Sequence, residues 1–367
     1  MATNPLVRLG QLGQSPWYDY ITRDLIASGR LAALIRDDGL RGMTSNPTIF
    51  EKAIAGSADY DADIARLAAE GRSPGETFEA LAVQDVRAAC DAFRPLYDSC
   101  GGGDGLVSLE VSPELANDTA GTIAEAQRLW TAVARPNAMI KIPGTREGLG
   151  AIEASLAAGI SINVTLLFSV ARYEEVIEAF LSGLERRRAQ GQPIDRITSV
   201  ASFFVSRVDG KVDPQLDQAG DPHRLRGTIA IANAGMAYAA FEKSRDTPRW
   251  RALAAAGARP QRPLWASTST KDPKYPDVYY IEALVAPDTV NTIPPDTFEA
   301  YRDHGRPEPR IAQAIATAPE RLAALASMGI DLAEVTRFLE EDGVTKFAAS
   351  YRQLLAGIET KVGALAG

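Results

Sequence analysis

The chain alternates, over most of its length, between short apolar runs and longer stretches whose apolar residues have helical spacing. Each short run ends at a small or polar residue, and the helical stretch follows directly. Six such runs predict strands, at residues 39–44, 106–111, 138–142, 160–164, 197–205 and 263–266. A strand–helix alternation of this kind favours parallel strands joined by crossover helices.

Two more segments bring the number of strands to eight. Residues 289–293 predict a further short strand and residues 17–21 a first one, whereas residues 278–284 fit either a strand or a short helix. Eight parallel strands close into a (β/α)8 TIM barrel, for which about 250 residues is typical. An open doubly wound sheet is the alternative fold, although no GxGxxG motif follows any of the strands.

The chain has 367 residues and is longer than a minimal barrel. The surplus predicts helical insertions, notably over residues 57–105, and a C-terminal helical extension over residues 336–365. Between the strand at 197–205 and a helix expected over 225–242, the residues indicate a polar loop. We therefore expect an α/β protein with one domain over residues 1–367, a single (β/α)8 TIM barrel with these additions.

Charge balance and the scarcity of histidine and cysteine argue against several kinds of function. Lys and Arg number 39 against 47 Asp and Glu, a net charge of −8, which argues against nucleic acid or an anionic membrane as the main partner. His223 and His304 are the only histidines, which argues against Ser–His catalysis and a His-rich metal site. Cys90 and Cys100 form no CxxC motif, and no secretory signal is recognisable, so we expect a cytoplasmic protein.

Lys141 is the lysine with the most apolar surroundings, in the run AMIKIP. Lysine is almost never fully buried without a partner. Burial favours the neutral form of an amine, which can attack a carbonyl carbon and form a Schiff base. A side chain that reaches outward to solvent, or an ion pair with Glu110, is the alternative interpretation.

Polar side chains end nearly every predicted strand, where a barrel places its active site. These residues are Asp19, Asn46, Glu110, Lys141, Asn163 with Thr165, Ser202 and Ser267. Glu110 lies within LVSLEVS and is either a proton-handling group or a structural ion-pair partner of Lys141. Asp19 is either a functional carboxylate or a cap of the helix that follows. Arg207 and Lys271 suit an anion held over the barrel mouth, with exposed salt bridges as the alternative.

Five segments occur together in one order along the chain. They are TSNPTIFEKAI (44–54), SLEVSP (108–113), IKIPGT (140–145), INVTLLFS (162–169) and ASFFVSRVDGKVD (201–213). Together they resemble transaldolase, in the longer bacterial subgroup that is sometimes fused to glucose-6-phosphate isomerase. The resemblance implies a (β/α)8 barrel that transfers a dihydroxyacetone unit between sugar phosphates of the non-oxidative pentose phosphate pathway. It also implies that neither a metal nor an organic cofactor takes part.

The same resemblance implies roles for individual residues. Lys141 matches the Schiff-base lysine and Asp19 the acid/base carboxylate, while Glu110 and Thr165 match the pair that holds the catalytic water. The expected substrate-binding residues are Asn46, Asn163, Ser202, Phe204, Arg207, Ser267 and Lys271. Of these, the two amides match groups that hold the dihydroxyacetone hydroxyls, and the arginine matches a phosphate ligand.

Two substrate positions depart from the pattern of many relatives. The segment ASTSTKD offers Ser267 and Lys271 where many relatives place an arginine, and lysine binds phosphate as a point charge, without the bidentate fork of arginine. Phe204 stands where aldolases that release free dihydroxyacetone carry a tyrosine. This apolar side chain favours transfer over release.

Two rival functions remain beside transfer of dihydroxyacetone between sugar phosphates. One is a Schiff-base aldolase that releases dihydroxyacetone. The other is a sugar-phosphate-binding barrel without activity, against which the presence of Lys141, Glu110 and Asp19 argues. The expected partners are sugar phosphates, with no nucleic acid and no membrane, and the chain is expected to be a monomer or a homodimer.

Overall fold

Eight short runs of buried residues form parallel strands that close into one barrel in chain order. The computed structural model describes residues 4–365. Its strands are β1 (Gln14–Asp19), β2 (Gly42–Thr44), β3 (Leu106–Glu110), β4 (Ala138–Pro143), β5 (Ile162–Leu167), β6 (Ser199–Phe204), β7 (Arg262–Ala266) and β8 (Thr289–Ile293). Every residue of β3 to β6 is buried, as parallel strands covered by helices require. Pairing of β1 with β8 closes the ring.

Helices cover the outside of the barrel and extend beyond it. They are α1 (Pro5–Gln11), α2 (Arg23–Ala27), α3 (Arg30–Asp37), α4 (Pro47–Ala55), α5 (Asp61–Ala69), α6 (Pro74–Ser99), α7 (Thr119–Val133), α8 (Arg146–Ala157), α9 (Val170–Ala189), α10 (Ser206–Ala219), α11 (Ile229–Arg245), α12 (Pro248–Ala255), α13 (Tyr279–Ala283), α14 (Pro295–His304), α15 (Ile311–Ser327) and α16 (Leu332–Leu365). Side-chain caps begin several of them; Ser73, for example, forms a capping box with Glu76 before α6. No helix within residues 4–365 is both long and apolar enough to cross a membrane.

The predicted (β/α)8 barrel is confirmed. Two predictions need correction, one for the segment after β6 and one for the start of β1. The polar loop expected after β6 is wrong, because α10 begins directly at Ser206 and buries Val208, Val212 and Leu216 at helical spacing beneath its polar residues. The first strand lies at Gln14–Asp19 and thus begins earlier than expected. The ambiguous segment before β8 forms the short helix α13. A single domain over the whole chain stays a prediction.

The C-terminal helix α16 packs on the barrel and its helical insertions. It contacts α4, α5, α6 and α10, and it passes close to the end of β5. Gly343 permits this approach, because a Cβ there would lie 3.0 Å from Leu166 Cδ2. Leu166 has a φ of 59°, a left-handed conformation rare for such a side chain, at an irregularity in the pairing of β5 with β6. The expected helical extension is therefore confirmed, and it lies over the C-terminal end of the barrel.

A buried polar network closes the opposite, N-terminal end of the barrel. Asp104, just before β3, is 7% exposed. Its carboxylate accepts hydrogen bonds from Arg41 Nε (2.7 Å), Arg262 Nη2 (3.0 Å) and Ser15 Oγ (2.9 Å). Burial alone would raise the pKa of Asp104, but Arg262 and Arg41 outweigh it and hold that pKa below its ordinary value. This carboxylate is therefore held in its ionised form.

Candidate active site

A cavity opens at the C-terminal ends of the strands, the end at which barrel enzymes carry their active sites. Its lining residues come from seven of the eight strands or the loops that follow them, and from α10 and α16. They are Asp19, Thr44, Asn46, Lys141, Thr165, Ser202, Phe204, Arg207, Ala266, Ser267, Ser269, Lys271, Thr292, Pro294 and Phe347. The structure therefore brings most of the predicted site residues to one place.

Lys141 lies inside the barrel mouth on β4. Its neighbours in the sheet register are Glu110 on β3 and Asn163 on β5. The side chain is buried, at 4% exposure, as the apolar run around it predicts. Its Nζ donates a hydrogen bond to the Ser45 carbonyl at 3.1 Å and lies 3.1 Å from Glu110 Oε2. Burial and the ion pair with Glu110, posed above as alternatives, thus occur together.

Glu110 is a buried carboxylate with too few partners. Lys141 Nζ is within ion-pair distance, but neither carboxylate oxygen has an aligned hydrogen-bond donor among the described residues. Burial raises the pKa of Glu110; Lys141 opposes this shift and Asp19 adds to it. Thr165 is fully buried, and its hydroxyl has no partner within residues 4–365. Thr165 lines the cavity and Glu110 is not among its lining residues, so the water-holding role of this pair stays a prediction.

Asp19 ends β1 and is only partly exposed at the cavity wall. Thr44 Oγ1 donates to its Oδ1 at 2.7 Å, and the Thr44 and Thr292 hydroxyl oxygens are 2.5 Å apart. Burial raises the pKa of Asp19, although Lys141, Thr44 and Arg207 each lower it. Thr44 and Thr292 were not predicted as site residues, because a threonine in a strand ordinarily indicates only β propensity.

Arg207 supplies an unneutralised positive charge. It lies near the start of α10, with its Cζ 5.0 Å above the Phe204 ring centroid. It forms no salt bridge within residues 4–365, and its Nη1 is buried without a hydrogen-bond partner. Burial lowers the pKa of Arg207, while Asp342 and Asp19 oppose the shift. A guanidinium in such a setting favours an anionic ligand.

Lys271 and Ser267 line the same cavity from the loop after β7. Lys271 is exposed in the loop after β7. Ser267 has a φ of 55°, and its carbonyl accepts a hydrogen bond from the Ser206 N–H at 2.9 Å. The loop after β7 therefore begins in contact with the first residue of α10, so the two predicted phosphate-binding cations share one edge of the cavity.

The two predicted amide ligands differ in their exposure. Asn46 lines the cavity, and its Oδ1 caps α4 by accepting the Ile49 N–H at 3.0 Å. Asn163 is fully buried; its Nδ2 donates to Ser108 Oγ at 3.0 Å, and its Oδ1 accepts from Ser202 Oγ at 2.7 Å. Ser202 lines the cavity and Asn163 does not, so Asn163 contacts the cavity wall through Ser202.

Phe347 is a site residue that the sequence analysis missed. It comes from α16, and its ring centroid is 5.7 Å from Lys141 Nζ. Together with Phe204, which packs on Phe168 at a centroid distance of 5.1 Å, it gives the cavity an apolar rim. No sequence signal distinguishes Phe347 from the other apolar residues of an amphipathic helix.

The arrangement combines a buried primary amine, two carboxylates whose pKa values are raised, and a cationic edge. The amine is suited to attack a carbonyl carbon, the carboxylates to move protons, and the cations to bind a phosphate. No group of three or more His, Cys, Asp or Glu side chains in the described part of the chain is placed to hold a metal ion.

Comparison with known proteins agrees with this chemistry. A family model described as Transaldolase/Fructose-6-phosphate aldolase matches residues 16–358. Transaldolase from Acidothermus cellulolyticus is 54% identical over 359 residues, which cover 97% of this chain and 96% of that protein. Transaldolase from Parafrankia sp. is 51% identical over 367 residues, covering 99% and 100%. Transaldolase from Thiobacillus denitrificans is 47% identical over 352 residues, covering 95% and 98%.

Proposed function

The chain belongs to the transaldolase/fructose-6-phosphate aldolase family and is a transaldolase, a transferase, and from this premise we propose that Lys141 forms the Schiff base of the reaction. The observation that carries the proposal is the position of its amine, buried inside the barrel mouth 3.1 Å from Glu110 Oε2. The expected link to the subgroup fused to glucose-6-phosphate isomerase stays a prediction.

The first half of the mechanism captures the ketose. Lys141 Nζ attacks the C2 carbonyl carbon of the donor, and the resulting carbinolamine loses its oxygen as water to leave an iminium. Glu110, acting through a water that Thr165 helps to hold, accepts the proton that leaves the nitrogen and returns one to the departing hydroxyl. A buried carboxylate with a raised pKa is suited to both transfers.

The second half breaks the carbon chain. Asp19, when ionised, takes the proton of the C4 hydroxyl, the C3–C4 bond breaks, and its electron pair moves into the iminium to give an enamine. The aldose phosphate leaves, and an incoming aldose phosphate reverses these steps. Thr44 donates to Asp19 Oδ1 and so orients this carboxylate. The residues of this scheme need neither a metal ion nor an organic cofactor.

The cavity supports sugar phosphates as substrates. We assign sedoheptulose 7-phosphate or fructose 6-phosphate as the donor and glyceraldehyde 3-phosphate or erythrose 4-phosphate as the acceptor. Arg207 and Lys271 bind the phosphate, since they are the cations of the cavity edge. Asn46 and Ser202 contact the dihydroxyacetone hydroxyls, with Asn163 behind Ser202. A cytoplasmic location and a monomeric or homodimeric state complete the proposal.

Borohydride trapping tests the role of Lys141. Fructose 6-phosphate and borohydride should leave a reduced three-carbon adduct on the peptide that contains Lys141, detected by mass spectrometry. Lys141→Met should form no adduct and lose turnover, whereas Lys243→Met, which removes an exposed lysine of α11, should match the wild type. An adduct or persistent turnover in Lys141→Met would show that another group carries the reaction.

Release of free dihydroxyacetone is the competing activity, and the family description includes an aldolase. Phe204 favours transfer, because its apolar ring does not position a water beside the enamine. Measuring aldose phosphate formation with and without an acceptor aldose separates the two activities. Equal rates in both conditions would favour the aldolase.

A further inference from the structure

Two aspartates of α10 are buried outside the cavity. Asp209 and Asp213 lie one helical turn apart and are 1% and 5% exposed. Neither forms a salt bridge with any of residues 4–365. Buried carboxylates require hydrogen bonds to persist, so the partners of these two indicate what they hold together.

Asp209 joins α10 to two other elements. Its Oδ1 accepts the Ala230 N–H of α11 at 2.7 Å, and its Oδ2 accepts the Tyr280 hydroxyl of α13 at 3.0 Å. Burial and the nearby Asp213 raise the pKa of Asp209 to about 7, with the hydrogen bond from Ala230 acting in the opposite direction. Both oxygens are therefore committed to holding α11 and α13 against α10.

Asp213 repeats the pattern one turn later. Its Oδ1 accepts the Gly227 N–H at 3.0 Å, and its Oδ2 accepts the Tyr275 hydroxyl at 2.7 Å. Gly227 has a φ of 71°, and a Cβ there would lie 2.7 Å from the Tyr275 ring. Each carboxylate thus binds one backbone N–H near the start of α11 and one tyrosine that follows β7. We call the Asp209–Tyr280 and Asp213–Tyr275 hydrogen bonds the paired clamp.

Other contacts fasten the same segment after β7. The Tyr279 hydroxyl donates to the Gly227 carbonyl at 3.0 Å, and its ring stacks on Tyr275 at a centroid distance of 5.4 Å. Arg226 forms a salt bridge with Asp272, the residue after Lys271. Tyrosines and carboxylates therefore hold the segment after β7 against α10 and α11, in addition to the hydrogen bond from Thr268 Oγ1 to Asn291 Oδ1 at 2.8 Å.

The paired clamp joins the same two elements that carry the cations of the cavity, α10 and the segment after β7. Arg207 is two residues before Asp209 on α10, and Lys271 is four residues before Tyr275. The two cations come from different elements, α10 and the loop after β7, so a phosphate can bind both only if those elements keep a fixed separation. The clamp and the Arg226 salt bridge supply this connection.

We propose that Asp209, Asp213, Tyr275 and Tyr280 are positioning residues for phosphate recognition, which hold Arg207 and Lys271 at the separation that a sugar phosphate needs. The proposal rests on the proposed function. It predicts an effect on binding of the phosphorylated donor and not on the reactivity of Lys141, because the clamp touches neither the amine nor its carboxylates.

Replacing a tyrosine of the paired clamp with phenylalanine removes its hydrogen bond to the aspartate with little loss of packing. Tyr280→Phe and Tyr275→Phe should each raise the KM for fructose 6-phosphate about tenfold, the size expected for one lost hydrogen bond to a charged group, with kcat close to the wild-type value. Inhibition by inorganic phosphate should weaken in parallel. Tyr238→Phe, which removes a tyrosine hydrogen bond to the Pro287 carbonyl elsewhere, is the matched control and should leave the KM unchanged.

Capture of dihydroxyacetone separates a positioning role from general structural damage, because only structural damage would lower it. Dihydroxyacetone carries no phosphate, so its borohydride-trapped adduct on Lys141 should form at wild-type concentrations in both clamp variants. In an Arg207→Ala background, Tyr280→Phe should add little to an already raised KM, since the two changes affect one interaction.

Three results would overturn the proposal: a KM within twofold of the wild-type value, a parallel loss of dihydroxyacetone capture, or an equal effect of Tyr238→Phe. Failure of the proposed function is distinguishable. In that case wild-type Lys141 takes up neither fructose 6-phosphate nor dihydroxyacetone, whereas normal labelling with an unchanged KM rejects the clamp alone.

Discussion

The two ends of the barrel each bury a carboxylate beside β3, and they treat it in opposite ways. Asp104, at the N-terminal end, accepts hydrogen bonds from two arginines and a serine. Glu110, at the C-terminal end, has one lysine at ion-pair distance. Burial raises the pKa of Glu110 and also that of Asp19, a second carboxylate at this end. Burial alone therefore does not decide the role of a charged group; the number of its hydrogen-bond and ion-pair partners does.

The contrast has a chemical meaning. The arginines hold the pKa of Asp104 below its ordinary value, so this group cannot exchange protons near neutral pH. Burial raises the pKa of Glu110 and of Asp19, which is the direction that suits a carboxyl group to proton transfer. The two ends therefore differ in how fully the carboxylate is satisfied: Asp104 has three hydrogen-bond donors, whereas both Glu110 oxygens lack an aligned donor among the described residues.

The largest expected effect concerns Asp19 at the C-terminal end. Asp19→Asn removes the base for the C4 hydroxyl proton and should lower kcat by about 10²–10⁴-fold. Adduct formation on Lys141 with dihydroxyacetone should persist, because that capture needs no C3–C4 cleavage. Steady-state kinetics and borohydride trapping measure the two quantities. Loss of both together would mean that Asp19 acts on the lysine itself.

The next-largest expected effect is on the free energy of unfolding, which should respond differently to removal of the carboxylate at each end. Asp104→Asn should lower the free energy of unfolding by about 3 kcal/mol, the lower end of the range for a broken buried ion pair, because Arg41 keeps some contact with solvent. Glu110→Gln, a matched change, should leave stability unchanged or raise it while lowering kcat. Urea titration measures both variants. Equal destabilisation by the two changes would remove the distinction between the ends.

The smallest expected effect is in the pH dependence of stability. The folded-state pKa of Asp104 is lowered, so its stabilisation is full above the pKa of the unfolded chain and is lost as the pH falls through the folded value. Glu110 has a raised pKa, so its ionisation destabilises the fold as the pH rises. Asp104→Asn should therefore flatten the acid limb of stability, and Glu110→Gln should stabilise more at pH 7 than at pH 5. Identical acid limbs in wild type and Asp104→Asn would contradict the first part.

The sequence predicts the strands and the central amine well, because these signals are local. Lys141 and Glu110 each interrupt an apolar run, and that pattern survives whatever the rest of the chain does. Residues that tertiary contacts bring to the site have no comparable pattern in their local sequence. Thr292 meets Thr44 only because β8 pairs with β1, and Phe347 reaches Lys141 only because α16 packs over the mouth.

The segment of α10 and the segment around Asp104 show what the local sequence pattern does not reveal. The polar residues of α10, with Gly210 and Pro214 among them, indicate a loop, yet the buried apolar residues of one face make it a helix. Asp104 within GGGDG indicates a turn, and nothing in its neighbourhood points to Arg262, which the barrel register brings to it. In α10 tertiary packing overrides local propensity, whereas the turn at Asp104 forms as the local pattern indicates and only its partner comes from the tertiary structure.

The seam between β1 and β8 joins residues 14–18 to residues 289–293, which are distant along the chain. Pairings between such distant segments form slowly. Asp19 pairs with Thr44 on β2, and Thr44 meets Thr292 of β8. The line of hydrogen bonds from Asp19 through Thr44 to Thr292 is therefore complete only in a closed ring, so the last step that completes the barrel also completes this wall of the cavity.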